Sequence, residues 1–272
     1  MSIHVVILTC PKYKRHLPAV LKGLELIEDT ISGITIISPE PVEVAGCVNL
    51  LDRDLWEIID PTFKHQRLWD NVWYRQQIFK LYLDQFIITE CDNILIVDGD
   101  VIITAPIRFM EKDHTNFYTI PFFKDDQISY YRGVYELTGL KRNTPFSFIA
   151  EVMIFNKTIL KELRHYVETH TGHTFLESID TALDESLTIP DPILAETKLS
   201  EYELYGTFVF AKHRDMVNKL IEPNPAQLRE QVLGIDVRGW QNLNAEDLYS
   251  FICTKSTHVF QSVRLISASK IH

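Results

Sequence analysis

Through the first hundred residues, short apolar runs alternate with longer stretches whose apolar residues recur at helical spacing. Ile3 to Thr9 (IHVVILT) is a continuous apolar run, the pattern of a buried strand. Leu17 to Ile27 has helical spacing, and Ile34 to Ser38 (ITIIS) reads as a second strand. Leu55 to Asp60 (LWEIID) reads as a third, stopped at Pro61. Trp69 to Ile87 is long and helix-like, and Ile94 to Val97 forms another buried strand. Strands alternating with helices predict an α/β fold with a largely parallel sheet. The second half is less regular. Asn116 to Phe123, Phe146 to Asn156 and the tail from Thr257 to Ile266 read as strands; Thr158 to Thr169 and a segment beginning at Ser200 read as helices. No linker or repeat interrupts the chain, so residues 1–272 are expected to form one domain.

Two places break the apolar pattern. In NILIVDGDVIIT (Asn93 to Thr104), Asp98 and Asp100 stand at the end of a hydrophobic strand with Gly99 between them. Paired carboxylates resist burial unless a cation joins them. Mg²⁺ typically takes one or two carboxylates plus phosphate oxygens. Gly99 would let the backbone bend and a ligand approach. Asp-Gly is also a common turn dipeptide, but a solvated turn needs no hydrophobic strand on each side. In the preceding helix, Trp69, Val72, Trp73, Phe79, Leu83 and Phe86 mark an apolar stripe in which Gln76 and Lys80 fall one turn apart. Polar groups on an inward face need partners. The alternative is that Lys80 snorkels to the surface and Gln76 caps a neighbouring strand.

Composition narrows the chemistry. The 272 residues are 46% hydrophobic and 24% charged, with a formal net charge of -10, ordinary for a globular protein and poorly suited to nucleic acid. No apolar run reaches the ~20 residues of a membrane span. Cys10, Cys47, Cys91 and Cys253 form no CxxC pair and read as reduced thiols of a cytoplasmic protein.

The DGD pair, the preceding βαβ pattern and the first strand ending in Thr9-Cys10-Pro11 together resemble the DxD motif and nucleotide-binding half of GT-A-type glycosyltransferases. The segments SEYELYG and YRQQIFKL are similar to those of bacterial glycosyltransferase-like proteins of poorly defined substrate. The resemblance implies a GT-A-like, Rossmann-related fold with a nucleotide-binding half (1–104) and an irregular acceptor-binding half (105–272). It implies a nucleotide-sugar donor, a UDP- or GDP-sugar before a CMP-sugar, with Mn²⁺ or Mg²⁺. Asp98 would meet ribose or metal and Asp100 the metal, with the late His258 completing the shell and His213 a substitute. Thr9, Gln76, Lys80, Asp98 and Gly99 would line the donor, with Lys80 approaching phosphate or the Asp98 carboxylate and Gln76 and Arg75 as secondary contacts. The acceptor is expected to be a glycan or a lipid-linked sugar. A lipid-linked acceptor requires peripheral contact at the membrane surface, for which the sequence shows no strongly basic amphipathic helix.

Transfer with inversion needs a base. Ser200-x-x-Glu203 is a capping box at a helix start, which occupies Glu203 and leaves Glu201 as the candidate base. Glu151 is its rival: alternation through Phe146 to Asn156 places it in a strand apolar on both faces. It could bind acceptor hydroxyls, serve a retaining mechanism, or pair with a structural cation. Arg238 to Asn244 (RGWQNLN) offers a tryptophan among amides for a sugar ring or a pinned loop. Two other functions stay open, a haloacid-dehalogenase-type phosphotransferase with Asp98 as nucleophile and a non-catalytic sugar-nucleotide-binding module.

Overall fold

The structure is a computed structural model that describes residues 2–103, 106–121, 124–141, 144–150, 152–185, 198–221 and 262–264. The chain opens with β1 (Ser2–Leu8), a 3₁₀ turn (Pro11–His16), α1 (Leu17–Leu24), β2 (Thr30–Ser38), β3 (Cys47–Leu51) and α2 (Asp52–Ile59). There follow α3 (Gln66–Asp70), α4 (Val72–Leu81), α5 (Leu83–Phe86), β4 (Asn93–Asp98), β5 (Val101–Ile103), β6 (Met110–Glu111), β7 (His114–Tyr118) and β8 (Ile120–Pro121). The second half adds α6 (Lys124–Thr138), β9 (Phe146–Ser147), β10 (Val152–Asn156), α7 (Lys157–Thr171), α8 (Phe175–Glu185), α9 (Glu201–Lys212), β11 (Val217–Ile221) and β12 (Ser262–Arg264).

The central sheet has the order β10-β4-β1-β2-β3. β4, β1, β2 and β3 are mutually parallel, and β10 joins antiparallel to β4, so a strand from the second half completes the sheet of the first. Alternation along each strand divides the core into two layers. Val6 and Leu8 of β1, Ile94 and Ile96 of β4, and Met153 and Phe155 of β10 pack with helices α2, α4, α5, α7 and α9. Val5 and Ile7, Leu95 and Val97, and Val152 and Ile154 pack with α1 and β5. After Asp98 the chain leaves the sheet. β5 pairs instead with β12 from the tail, Ser262 opposite Ile103 and Arg264 opposite Val101.

The elements depart from expectation in three places. Leu55 to Asp60 is not a strand; it lies largely in α2, and the edge strand is the less apolar β3. Leu55 and Trp56 are buried and Ile59 packs against the core, a helical spacing, while Asp52 and Asp54 occupy the first turn, where the helix dipole favours them. Phe146 to Asn156 is two strands, because the chain turns at residues 148–150, where the Ala150 amide donates to the Phe148 carbonyl. The alternation argument for Glu151 therefore does not hold across the segment, and Glu151 itself lies outside the described residues.

The third departure is the long helix from Trp69, which is broken into α3, α4 and α5. Asn71 caps α4, its Oδ1 accepting from the Trp73 and Tyr74 amides at 3.0 and 3.2 Å. The break rotates the helix, so Val72 and Trp73 are 53% and 39% exposed and Gln77 through Leu81 face inward. At Tyr82 the backbone leaves helical geometry (φ -117°, ψ 12°), and Arg164 from α7 fills the gap. Its guanidinium donates to the Leu81 carbonyl, grips Asp84 with two bonds of 2.7 Å and stacks on the Tyr82 ring at 4.6 Å. The Asp84 side chain is fully buried and that of Arg164 is 9% exposed. Asp84→Ala is expected to strand that charge and lower unfolding stability by about 3–5 kcal/mol, read from denaturant titration.

Candidate functional site

The sheet order places a crevice. From β1 the chain proceeds outward through β2 and β3, then crosses back to lay β4 on the opposite side of β1. Such a reversal leaves an opening beyond the carboxyl ends of the two central strands. Leu8 pairs with Asp98 in the β1–β4 register, so Thr9-Cys10 and Asp98-Gly99-Asp100 flank that opening. A cleft of about 290 Å³ lies there, floored by Thr9, Lys80, Asp98 and Asp100 and walled by Tyr13 and Trp73. A narrower arm reaches from Thr9 and Gln76 towards Ser38, Asp52 and Arg75.

Strand parity explains the chemistry at its base. Asp98 has the phase of Ile94 and Ile96 and so points to the layer containing α4 and α9. Lys80, 2% exposed on α4, meets it there: Nζ lies 2.8 Å from Asp98 Oδ1 and 2.6 Å from Glu201 Oε1. A third bond runs from Nζ to the Tyr202 hydroxyl at 3.4 Å, and the ammonium lies 4.6 Å from the centre of the Tyr202 ring. An ammonium has three donors, and each finds an acceptor. Burial alone would lower the Lys80 pKa, but Asp98 and Glu201 hold it well above its ordinary value, so the side chain is charged. Burial pushes the Glu201 carboxyl up against the opposing pull of Lys80.

Glu201 is the first residue of α9. Ser200 caps that helix, its Oγ accepting from the Glu203 amide at 3.3 Å. The Glu203 carboxylate does not complete the expected reciprocal box. It accepts instead from Ser147 Oγ at 2.8 Å and the Phe148 amide at 3.0 Å, pinning the turn before β10. The Glu201 amide donates to Gln77 Oε1 at 3.2 Å. Sequence reasoning chose Gln76, which lines the cleft half-buried, and missed Gln77, which touches Glu201 and lines the cleft too. The signal was the cap at Asn71, which resets the helical phase.

Gly99 serves close packing here, not only ligand access. A Cβ on it would lie 2.6 Å from Thr9 Oγ1 and 2.9 Å from the Leu8 carbonyl oxygen. Among the described residues Thr9 Oγ1 is buried without a hydrogen-bond partner, an uncommon state for a hydroxyl at the floor of a cleft. Asp100 is 5% exposed and lines the same cleft. Among the described residues no cluster of three or more His, Cys, Asp or Glu is arranged to hold a metal, so Asp98 and Asp100 are the acidic pair available. His258 and Arg238 to Asn244 lie outside the described residues. His213 follows the far end of α9, about 18 Å along the helix from Glu201, and pairs with Glu162 at 2.8 Å. It is therefore no substitute metal ligand.

Residues 42–264 match a protein-family description, Family of unknown function (DUF6492), and the chain belongs to that family. Comparison with curated proteins gives no match. Among solved structures, mouse xyloside xylosyltransferase 1 in its apo form superposes with a TM-score of 0.50 at 11% identity, over 97% of this chain and 97% of that one. The galactosyltransferase LgtC, in complex with donor and acceptor sugar analogues, gives 0.46 at 12% identity, over 98% of this chain and 88% of that one. The architecture is GT-A-like, a largely parallel Rossmann-related sheet flanked by helices.

His16, in the 3₁₀ turn at the cleft rim, is 6% exposed. Burial, then the charges of Arg15 and Lys12, lower its pKa to about 4. An unfolded histidine takes its proton near pH 6.5, the folded one only near 4, so the unfolded state binds more protons between them. Stability should therefore be full above about pH 6.5 and fall by roughly 3 kcal/mol as the pH drops towards 4. Denaturant titrations across that window should show a shallower pH slope for His16→Gln than for the parent.

Proposed function

We propose that this family member is a metal-dependent glycosyltransferase, moving a sugar from a nucleoside-diphosphate donor to a hydroxyl of a glycan or glycolipid acceptor. The observation that carries the reading is the acidic pair at the switch-point cleft, with Asp98 held by a buried lysine. Its fold is shared with a xyloside xylosyltransferase, but fold alone assigns no chemistry. The argument rests on the site.

A divalent cation suits these residues. Asp98 and Asp100 bring two carboxylates to one cleft, and Lys80 bridges Asp98 to Glu201 behind it. The oxygen donors of Asp98 and Asp100 match a hard cation, and the orphan hydroxyl of Thr9 lies beside them. When bound, the cation would neutralise charge on the departing diphosphate. The chain's own contributions are distinct. Lys80 fixes the direction of the Asp98 carboxylate, 2.8 Å from its ammonium. Glu201 lies beneath Lys80 and does not line the cleft, so we assign it to orienting Lys80 in preference to the base role its position in the sequence suggested. Gln76 and Thr9 line the donor path. Residues 1–104 would form the donor half and residues 105–272 the acceptor half of one domain, and β10 completing the donor-side sheet supports the single domain. The phosphotransferase alternative gains no support, because its aspartate belongs at the end of the first strand and this pair ends β4.

A panel of nucleotide sugars with Mn²⁺ or Mg²⁺, followed by release of nucleoside diphosphate and by thermal shift, tests the reading. One donor class should raise the melting temperature and turn over, and Asp100→Ala should reduce turnover about 100-fold or more. A panel in which no donor binds and none is cleaved would overturn it.

A further inference from the structure

The 3₁₀ turn after β1 reverses the charge of its surroundings. The chain carries a formal net charge of -10, yet Lys12, Lys14 and Arg15 stand exposed within four positions at the cleft rim. Among the described residues no carboxylate pairs with Lys14 or Arg15; Arg15 Nε donates to His16 Nε2 at 3.2 Å. Burial lowers the pKa of His16, and the charges of Arg15 and Lys12 lower it further. Facing this turn across the cleft, the first residues of α4 leave Val72 53% and Trp73 39% exposed, although both are large and apolar. Tyr13 shares the rim, with Lys12 Nζ 5.2 Å from its ring centre. Exposed cations beside tryptophan, tyrosine and an aliphatic side chain make a surface suited to the boundary of an anionic bilayer. Basic residues are drawn to its headgroups, and amphipathic rings settle at headgroup depth. No amphipathic helix advertises this surface, because its two parts lie some sixty residues apart in sequence and meet only through the β1–α4 packing. No described helix is long and apolar enough to cross a membrane, so attachment would be peripheral.

We propose that this rim docks the protein on a membrane surface rich in anionic lipid, bringing the cleft mouth to the bilayer. The proposal rests on the charge and exposure of the rim and is independent of the transferase reading, since vesicle binding is measured without any sugar nucleotide. The test is co-sedimentation of the full chain with vesicles of phosphatidylcholine alone or of phosphatidylcholine with phosphatidylglycerol. The parent should bind the anionic vesicles and not the neutral ones, and release them near 1 M salt, where the screening length falls to about 3 Å. Each basic residue near such a surface strengthens binding about fivefold, so Lys14→Gln with Arg15→Gln should weaken it about 25-fold. Lys14→Gln alone, which removes no described contact, should weaken it about fivefold and serves if the double variant folds poorly. Equal binding to both vesicle types, no binding by the parent, or unchanged binding by the Lys14 variant would each overturn the proposal. So would a double variant that loses affinity for a nucleoside diphosphate while its vesicle binding is unchanged, which would assign the turn to the donor.

Discussion

A lysine ammonium enclosed by protein is the constraint around which this site is organised. Moving an unpaired charge out of water costs several kcal/mol even after relaxation. Lys80 is tolerable only because three acceptors and an aromatic face surround it. The partners come from two distant parts of the chain, Asp98 from the end of β4 and Glu201 with Tyr202 from the start of α9. The sheet layer, the broken helix and the late helix must all be in register before the charge is satisfied. A hydrophobic residue of similar size could pack that space with less demand on its neighbours. What the ion pair adds is a fixed direction for the Asp98 carboxylate at the mouth of the cleft.

The first turn of α9 acts as a junction. Glu201 reaches the donor-side sheet through Lys80, and two residues later Glu203 holds the turn that leads into β10. Gly206 lets the same helix sit against the ring of Phe148, where a Cβ would come within 2.2 Å of the ring carbon. The acceptor-side elements are thereby referenced to the residues that would hold the donor. This is why a segment as short as Ser200 to Gly206 carries so much of the architecture.

Part of this was legible in the sequence. Continuous apolar runs located β1 and β4, and Ser200 marked the start of α9, because burial and capping are written in neighbouring residues. Lys80 stood out as a polar residue on an inward helical face, and Asp98 was one of the two partners the resemblance offered it. The rest depended on contacts between distant segments. Leu55 to Asp60 reads as a strand until the buried pair Leu55 and Trp56 is seen to pack with α4 across a helical turn. The phase of α4 depends on the cap at Asn71, which moved the inward amide from Gln76 to Gln77. Nothing local distinguished Glu201 as a buried partner from Glu201 as a solvated base, since that depends on which side chain lies beneath it.

The central claim is that Lys80 and Glu201 are one electrostatic unit. A double-mutant cycle of Lys80→Met and Glu201→Gln, with unfolding free energies from denaturant titration, measures it directly. The account predicts that each single variant is destabilised and that the double variant is more stable than the sum of the two losses by about 1–3 kcal/mol, because removing both charges leaves neither stranded. Losses that add within about 0.3–0.5 kcal/mol would show that the two groups do not interact and would contradict it.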